Sequence, residues 1–213
     1  MKTKLYLIRH GQSEGNKAKA FLGHKDLDLT ELGHIQAENA AGFFKDIDVD
    51  VIYSSDLIRA YNTAIHTAKL KGLDVIKNKN LREIYAGQWE GRTFTELETV
   101  FADSFGKWRE DCGNSACPGG ESTAELQKRI VGEITKIAEE NQGKTILFFT
   151  HATPIRVFKG YCDGCGLDGI KDVPWATNAS VTYAEYENGK LTLIDYSIDY
   201  FQGEEITKIP ANV

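Results

Sequence analysis

The chain of 213 residues is long enough for a sizeable hydrophobic core, and we predict one domain over residues 1–213. A hydrophobic content of 41% and a charged content of 26% are typical of a globular protein and exclude a disordered or fibrous one. The net charge of −6, without a long run of Lys or Arg, argues against a nucleic-acid or membrane partner. No apolar stretch has the length of a membrane span, and we predict a cytoplasmic protein.

Short runs rich in β-branched and aromatic residues alternate with longer segments of helical periodicity. The runs predicted as strands are residues 4–8, 50–54, 73–77 and 144–150. Near the C-terminus, Asn188-Gly189 separates two alternating segments and predicts a type I′ hairpin at a sheet edge. This alternation predicts an α/β fold with a mainly parallel sheet.

Two helices have clear start signals. Thr30 can cap a helix whose apolar positions would lie on the sheet, namely Leu32, Ile35, Ala40 and Phe43. Ser122 can cap a second helix with an apolar face formed by Leu126, Ile130, Ile134 and Ile137. We expect both helices to pack on the sheet. Residues 111–122, which lead into the second helix, are expected to form a loop.

The four cysteines form two close pairs, which are Cys112 with Cys117 and Cys162 with Cys165. The second pair has the C-x-x-C spacing of a redox or metal site. They are either ordinary reduced thiols or, if both pairs meet in space, the ligands of a zinc ion. The sequence leaves both alternatives open.

The segment "YLIRHGQSEGN" ends an apolar strand on Arg9 and His10. In open α/β sheets, ligands bind beyond the carboxyl ends of the strands, so these side chains arrive where a substrate would lie. Gly11 allows a tight turn, and Asn16 is a polar group able to bind an anion beside backbone N–H donors. The segment therefore predicts an oxyanion or phosphate site.

Three further residues are candidates for the same site. His151 directly follows the last long strand, Arg59 lies in the first turn of a helix, and Glu83 follows the third strand. A carboxylate such as Glu83 is suited to donate a proton, although Arg59 and Glu83 taken singly are more typical of surface residues. The other three histidines receive no chemical role, and they are His24, His34 and His66.

Five segments resemble, in order, the successive signatures of the histidine phosphatase superfamily, also called the phosphoglycerate mutase-like family. They are "LIRHGQSEGN", "SSDLIRAYNTA", "LREIYAGQWEG", "PGGES" and "FTHATPIR". The resemblance covers residues 4–196 and implies a three-layer α/β/α sandwich. It also implies that no metal or other cofactor is needed.

The same resemblance implies a role for each site residue. His10 would be the nucleophile that becomes phosphorylated, and Glu83 the acid–base residue. The phosphate would be bound by Arg9, Gly11, Asn16, Arg59, His151 and Ala152. His151, if protonated, would add a positive charge. Ala152 stands where the family most often has Gly, and it retains the backbone N–H.

The family contains both hydrolases and mutases. Its phosphoglycerate mutases carry a long insertion after the catalytic Glu and basic groups for the substrate carboxylate. Here the span from Glu83 to the "PGGES" segment is short. Ile84 and Tyr85 stand in place of those basic groups, so a substrate carboxylate has no evident cationic partner. The resemblance therefore implies a phosphatase that hydrolyses small phosphorylated metabolites through a phosphohistidine. A phosphoglycerate mutase and an inactive phosphate-binding module are the alternatives, and a homodimer is left open.

The helical segment at residues 94–108 and four aromatic residues are further candidates for the wall of the site. This helical segment is expected to cover the site. Four aromatic residues either line the site or belong to the core, and they are Phe21, Trp89, Phe105 and Trp108.

Overall fold

A six-stranded sheet with helices on both faces organises the fold. A computed structural model of the protein describes residues 1–207. The β-strands in this part of the chain are β1 (Thr3–Arg9), β2 (Ala20–Phe21), β3 (Val51–Ser54), β4 (Val75–Lys77), β5 (Arg92–Thr93), β6 (Thr145–Thr150), β7 (Val181–Glu187) and β8 (Lys190–Ile198). The α-helices are α1 (Glu14–Lys17), α2 (Glu31–Phe43), α3 (Ile58–Lys71), α4 (Phe94–Val100), α5 (Ala102–Glu110), α6 (Thr123–Glu140) and α7 (Ala152–Asp163).

The main sheet has the strand order β4-β3-β6-β1-β7-β8, and β2 pairs with β5 in a separate small sheet. The pairs β3/β4, β3/β6 and β1/β6 are parallel, whereas β7 and β8 join antiparallel at one side. Asn188 and Gly189 have φ angles of 52° and 79°, which a type I′ turn requires, and they join β7 to the edge strand β8. The predicted mainly parallel sheet is confirmed.

Strand β1 shows why the sheet has a helical layer on each face. Its side chains alternate, so that Leu5 and Leu7 join a core with the apolar residues of α6 and α7. Tyr6 and Ile8 point the other way and pack with Phe44 and residues of α3. The three-layer α/β/α arrangement is therefore confirmed, and the central strands are buried on both faces. One domain over residues 1–213 stays a prediction.

The two predicted helix starts have the expected caps. The Thr30 hydroxyl accepts from the Gly33 N–H, and Ser122 forms a reciprocal capping box with Glu125. In α6 the predicted apolar face is buried, from Leu126 to Ile137. Residues 94–108 form not one helix but α4 and α5, which meet at Phe101.

The predicted apolar face of α2 is confirmed in part, because Ala40 is buried and Phe43 packs against the core. Ile35 is 41% exposed, and the buried positions of this helix are Gly33, Gln36, Ala37, Ala40 and Ala41. A face of small residues lets α2 approach α3 and the loop after β1 more closely than a face of large side chains would. The apolar periodicity alone could not reveal that close approach was required.

The loop after β1 is held tightly against the start of α2. A Cβ added to Gly11 would lie 2.3 Å from the Gly33 carbonyl oxygen, and one added to Gly33 would lie 2.1 Å from the Gln12 oxygen. The Gln12 N–H donates to Gln36 Oε1 over 2.8 Å, and the Gly11 N–H donates to Thr63 Oγ1 over 3.1 Å. Helices α2 and α3 therefore determine the position of the backbone that follows Arg9 and His10.

This close approach predicts opposite effects for two glycines of α2. Gly33→Ala should lower the free energy of unfolding by about 1–3 kcal/mol, because its methyl group collides with backbone. Gly42→Ala is the matched control, since nothing lies within 4 Å of its added Cβ. It should raise the free energy of unfolding by about 0.5–1 kcal/mol through helix propensity. Urea unfolding measures both changes, and stabilisation by Gly33→Ala would contradict the tight contact.

Candidate active site

Two histidines meet at the carboxyl ends of neighbouring parallel strands. β1 ends at Arg9 and β6 ends at Thr150, and these residues are partners in the strand register. His10 and His151 follow them, and their ring centroids lie 5.2 Å apart. His10 is 4% exposed and His151 is fully buried. The pairing of the two strands thus brings together two imidazoles that are 141 positions apart in the sequence.

The ring of His10 is oriented by its own loop. Nδ1 lies 2.7 Å from the Gly11 carbonyl oxygen, and because a carbonyl only accepts, Nδ1 carries the proton. Nε2 is then the unprotonated nitrogen. Burial, reinforced by the charges of Arg59 and Arg9, lowers the pKa of His10 well below 6.5. A neutral imidazole with a free Nε2 is a nucleophile at neutral pH.

Two buried guanidinium groups lie beside His10. Arg9 donates from Nη1 to the Ala176 carbonyl over 2.6 Å. Arg59 donates to the carbonyls of Lys25 and Gly23 over 2.9 and 2.8 Å. Burial lowers the pKa of each arginine to about 10, partly offset by Glu83, so both remain cationic at neutral pH. Within residues 1–207 the buried Nε of each arginine has no hydrogen-bond partner. Fixed cations with spare donors suit an anion such as phosphate.

His151 is neutral, in contrast to the protonated form considered from the sequence. Burial, followed by the charges of Arg59 and His10, lowers the pKa of His151 well below 6.5. Its Nε2 lies 2.8 Å from Ser55 Oγ, which also accepts from the Leu57 N–H. Because a hydroxyl oxygen can accept two hydrogen bonds and also donate one, this contact is compatible with a proton on either ring nitrogen of neutral His151. Within residues 1–207, Nδ1 of His151 is buried without a hydrogen-bond partner.

Glu83 reaches the site from the segment after β4. Its Oε1 accepts from the Ile84 N–H over 2.8 Å, and its Oε2 accepts from the Thr153 N–H at the start of α7 over 3.3 Å. The Glu83 carbonyl oxygen accepts from His24 Nε2 over 2.9 Å and from an Arg129 Nη over 3.2 Å. His24, which received no chemical role from the sequence, thus holds the backbone that carries the carboxylate.

These residues surround a cavity of about 360 Å³. Six of the eight residues predicted for the site line it, and they are Arg9, His10, Asn16, Arg59, Glu83 and Ala152. Gly11 and His151 lie behind the wall. Asn16 Oδ1 already accepts from the N–H and hydroxyl of Ser13 and from Asn178, so the NH2 group is what Asn16 can offer to a ligand. The structure gathers the predicted residues at one place.

Sequence reasoning missed several residues of this site. Lys17, Lys19 and Asn178 line the cavity, and Ser55 contacts His151 behind it. The Asn178 side chain donates to the His10 carbonyl over 3.0 Å and so joins the segment before β7 to the loop after β1. These residues lie in polar segments without a periodic pattern, where a functional side chain cannot be told from a solvated one.

The aromatic candidates divide between core and cavity. Phe21 lines the cavity. Trp89 is fully buried and makes T-shaped contacts with Phe105 and Trp108, which are 2% and 4% exposed. The core interpretation therefore holds for these three residues, and Phe94, which was not singled out, lines the cavity beside Phe21.

The cysteines are all free thiols. Cys112 and Cys117 are buried, and Cys162 and Cys165 are half-buried. In residues 1–207 no three His, Cys, Asp or Glu side chains come together as a metal site, so the four-cysteine zinc arrangement does not form. Burial raises the pKa of Cys162 to about 12, which makes it an unreactive thiol at neutral pH.

None of the helices described in residues 1–207 is long and apolar enough to cross a membrane.

A strand-end histidine with a free nitrogen, two arginines and a carboxylate surround one cavity, an arrangement suited to binding an anion such as phosphate. Residues 5–199 match the family model of the histidine phosphatase superfamily, branch 1, and the chain belongs to this superfamily. The predicted family is confirmed.

Three known proteins are similar over most of their length. Phosphoserine phosphatase 1 of Hydrogenobacter thermophilus is 33% identical over 94% of this chain and 95% of that protein. The structure of Bacillus stearothermophilus YhfR has a TM-score of 0.88 at 26% identity, covering 92% and 97% of the two chains. A mycobacterial glucosyl-3-phosphoglycerate phosphatase in complex with VO3 has a TM-score of 0.84 at 26% identity, covering 92% and 98%. Two of the three are named as phosphatases, in agreement with the predicted phosphomonoesterase.

The lowered pKa values predict how stability depends on pH. In the unfolded chain His10 has an ordinary pKa near 6.5, whereas in the folded chain its pKa is much lower. At a pH between these two values, the unfolded chain therefore binds more protons than the folded chain. The stabilisation is complete above pH 6.5 and is lost as the pH falls toward the folded pKa. We expect the free energy of unfolding to decrease from about pH 7 to about pH 5.5, and less steeply in His10→Asn. Urea unfolding at each pH tests this, and equal slopes would contradict the buried neutral imidazole.

Proposed function

We propose that the protein hydrolyses small phosphate monoesters through a phosphoryl group carried on Nε2 of His10. The observation that carries the proposal is the bond from His10 Nδ1 to the Gly11 carbonyl, which leaves Nε2 unprotonated in a ring near the charges of two buried arginines. Membership of the histidine phosphatase superfamily and the phosphatase relatives support the reaction class.

The phosphate is bound by cations and by backbone donors. Arg9 and Arg59 neutralise its non-bridging oxygens, and the Asn16 amide donates a further hydrogen bond. Helix α7 begins at Ala152 on the cavity wall, so the positive end of its dipole faces the anion. Since an alanine retains the N–H of the glycine usual in the family, this contact is preserved. His151 stands behind the phosphate as a neutral imidazole rather than as a further positive charge.

The reaction proceeds in two steps with Glu83 as the acid and then the base. Nε2 of His10 attacks phosphorus, the bond to the ester oxygen breaks, and the protonated Glu83 carboxyl supplies the proton of the departing alcohol. In the second step the Glu83 carboxylate takes a proton from water, which attacks phosphorus. The P–N bond then breaks and releases phosphate and neutral His10. The side-chain cations neutralise the transferring group, so we expect no metal requirement.

The first functional prediction concerns the covalent intermediate. Protein quenched during turnover of a labelled monoester should carry acid-labile, base-stable phosphate on His10. His10→Ala should remove both label and turnover, whereas His34→Ala is the matched control, because His34 contacts His66 and does not line the cavity. Turnover of the unaltered protein and of His34→Ala should also be measured in the presence of a chelator, which we expect to leave their activity unchanged.

Two results would contradict this proposal. Label trapped on Ser or Asp would place the nucleophile elsewhere. Binding of phosphate esters without any turnover would favour the inactive phosphate-binding module, which remains the alternative from a different functional class.

The second functional prediction separates hydrolysis from mutase chemistry. A mutase must protect its phosphohistidine from water while the intermediate reorients. Ile84 is buried in the core, Tyr85 is exposed, and neither of them lines the cavity, so the basic groups implied for the family's mutases are missing there. Supplied with 3-phosphoglycerate and a trace of bisphosphoglycerate, the protein should release phosphate faster than it interconverts the isomers. Isomer conversion faster than phosphate release by orders of magnitude would make it a mutase.

A further inference from the structure

Two lysines share the cavity with the proposed phosphate site. Lys17 is the last residue of α1, Lys19 precedes β2, and both line the cavity that contains His10. Both are exposed residues, and neither forms an ion pair with an acidic side chain within residues 1–207. Their ammonium groups are therefore available to a ligand.

The charges on the cavity wall exceed what one phosphate needs. Arg9 and Arg59 supply two positive charges next to His10, which match a phosphate dianion. Lys17 and Lys19 add two more, and Glu83 is the only acidic residue among the described residues that line the cavity. An excess of cations along one wall is complementary to a ligand with a second anionic group.

The backbone holds Lys19 at this place. Its φ angle of 52° is in the left-handed region, which residues with a side chain rarely adopt. The Lys19 N–H donates to the Asn16 carbonyl over 3.1 Å, and the Lys19 carbonyl accepts from the Phe94 N–H over 3.0 Å. Asn16 and Phe94 both line the cavity. Lys19 is thus fixed between two parts of the cavity wall, as strained residues at ligand sites often are.

We propose that Lys17 and Lys19 form a second anion subsite, and that the preferred substrates are small phosphate monoesters carrying a carboxylate or a second phosphate. The proposal rests on the proposed function. Under this proposal, a substrate carboxylate would have a cationic partner that does not come from the positions of Ile84 and Tyr85. The cations come instead from the segment between α1 and β2, and a cavity of about 360 Å³ suits a substrate of metabolite size.

The test compares substrate pairs that differ in one charge. 3-Phosphoglycerate against glycerol 3-phosphate reports on a carboxylate, and propane-1,3-diol bisphosphate against its monophosphate reports on a second phosphate. We expect kcat/KM to favour the charged member of at least one pair by about tenfold, the combined effect of two partly exposed ion pairs. Added NaCl should reduce this preference by screening. The pair that shows it identifies the anion.

Variants assign the preference to the two lysines. The double variant Lys17→Met/Lys19→Met should bring the kcat/KM ratio of the pair close to one, and Lys17→Arg/Lys19→Arg should keep it. Lys136→Met is the matched control, because Lys136 is an exposed lysine of α6 that does not line the cavity, and it should leave the ratio unchanged. A ratio near one in the unaltered protein, or an unchanged ratio in the double methionine variant, would overturn the subsite.

Failure of the proposed function has a different signature. If none of the esters is turned over, the hydrolase assignment is wrong, yet the subsite still predicts a ratio of dissociation constants. Calorimetric titration of the unaltered protein with the same pairs measures this ratio. Tighter binding of the charged member, lost in the double methionine variant, would support the subsite, and equal binding would overturn it.

Discussion

The parallel pairing of β1 with β6 is the constraint on which the site depends. Because Arg9 and Thr150 are register partners, the residues that follow them emerge at the same edge of the sheet. A shift of one residue in either strand would exchange the faces of its side chains and separate His10 from His151. The register is specified strongly, since β6 is buried along its whole length and β1 contributes alternate side chains to two cores.

Burial at this sheet edge determines the chemistry of each group. Removing an imidazole from water favours its neutral form, and neighbouring guanidinium charges act in the same direction, so His10 and His151 are both neutral. The arginines resist the same desolvation because their ordinary pKa is far higher. One environment therefore produces two neutral imidazoles and two permanent cations. The proposed nucleophile and the proposed phosphate-binding cations thus owe their different charge states to the same buried environment.

The parts of this protein that follow local rules could be predicted from the sequence. The ends of the predicted strands placed Arg9, His10 and His151 at one edge of the sheet, and the cap residues predicted where α2 and α6 begin. The full buried face of α2 could not be predicted, because the exposure of Ile35 follows from how closely the helix approaches another loop. The contact of Ser55 with His151 likewise depends on pairing between β3 and β6, which no local pattern encodes.

The "PGGES" segment shows how a sequence motif can belong to a site without lining it. A Cβ on Gly120 would lie 2.2 Å from the Tyr85 carbonyl oxygen, and the Glu121 N–H donates to that oxygen over 2.8 Å. The Glu121 carboxylate binds Arg129 through Nε and Nη2, at 2.9 and 2.8 Å. Arg129 in turn donates to the Glu83 carbonyl. The motif therefore acts on the backbone around Glu83, and a glycine is required where that backbone comes closest. The acid–base role proposed for Glu83 requires such rigid support, because small displacements from the leaving oxygen weaken proton transfer steeply.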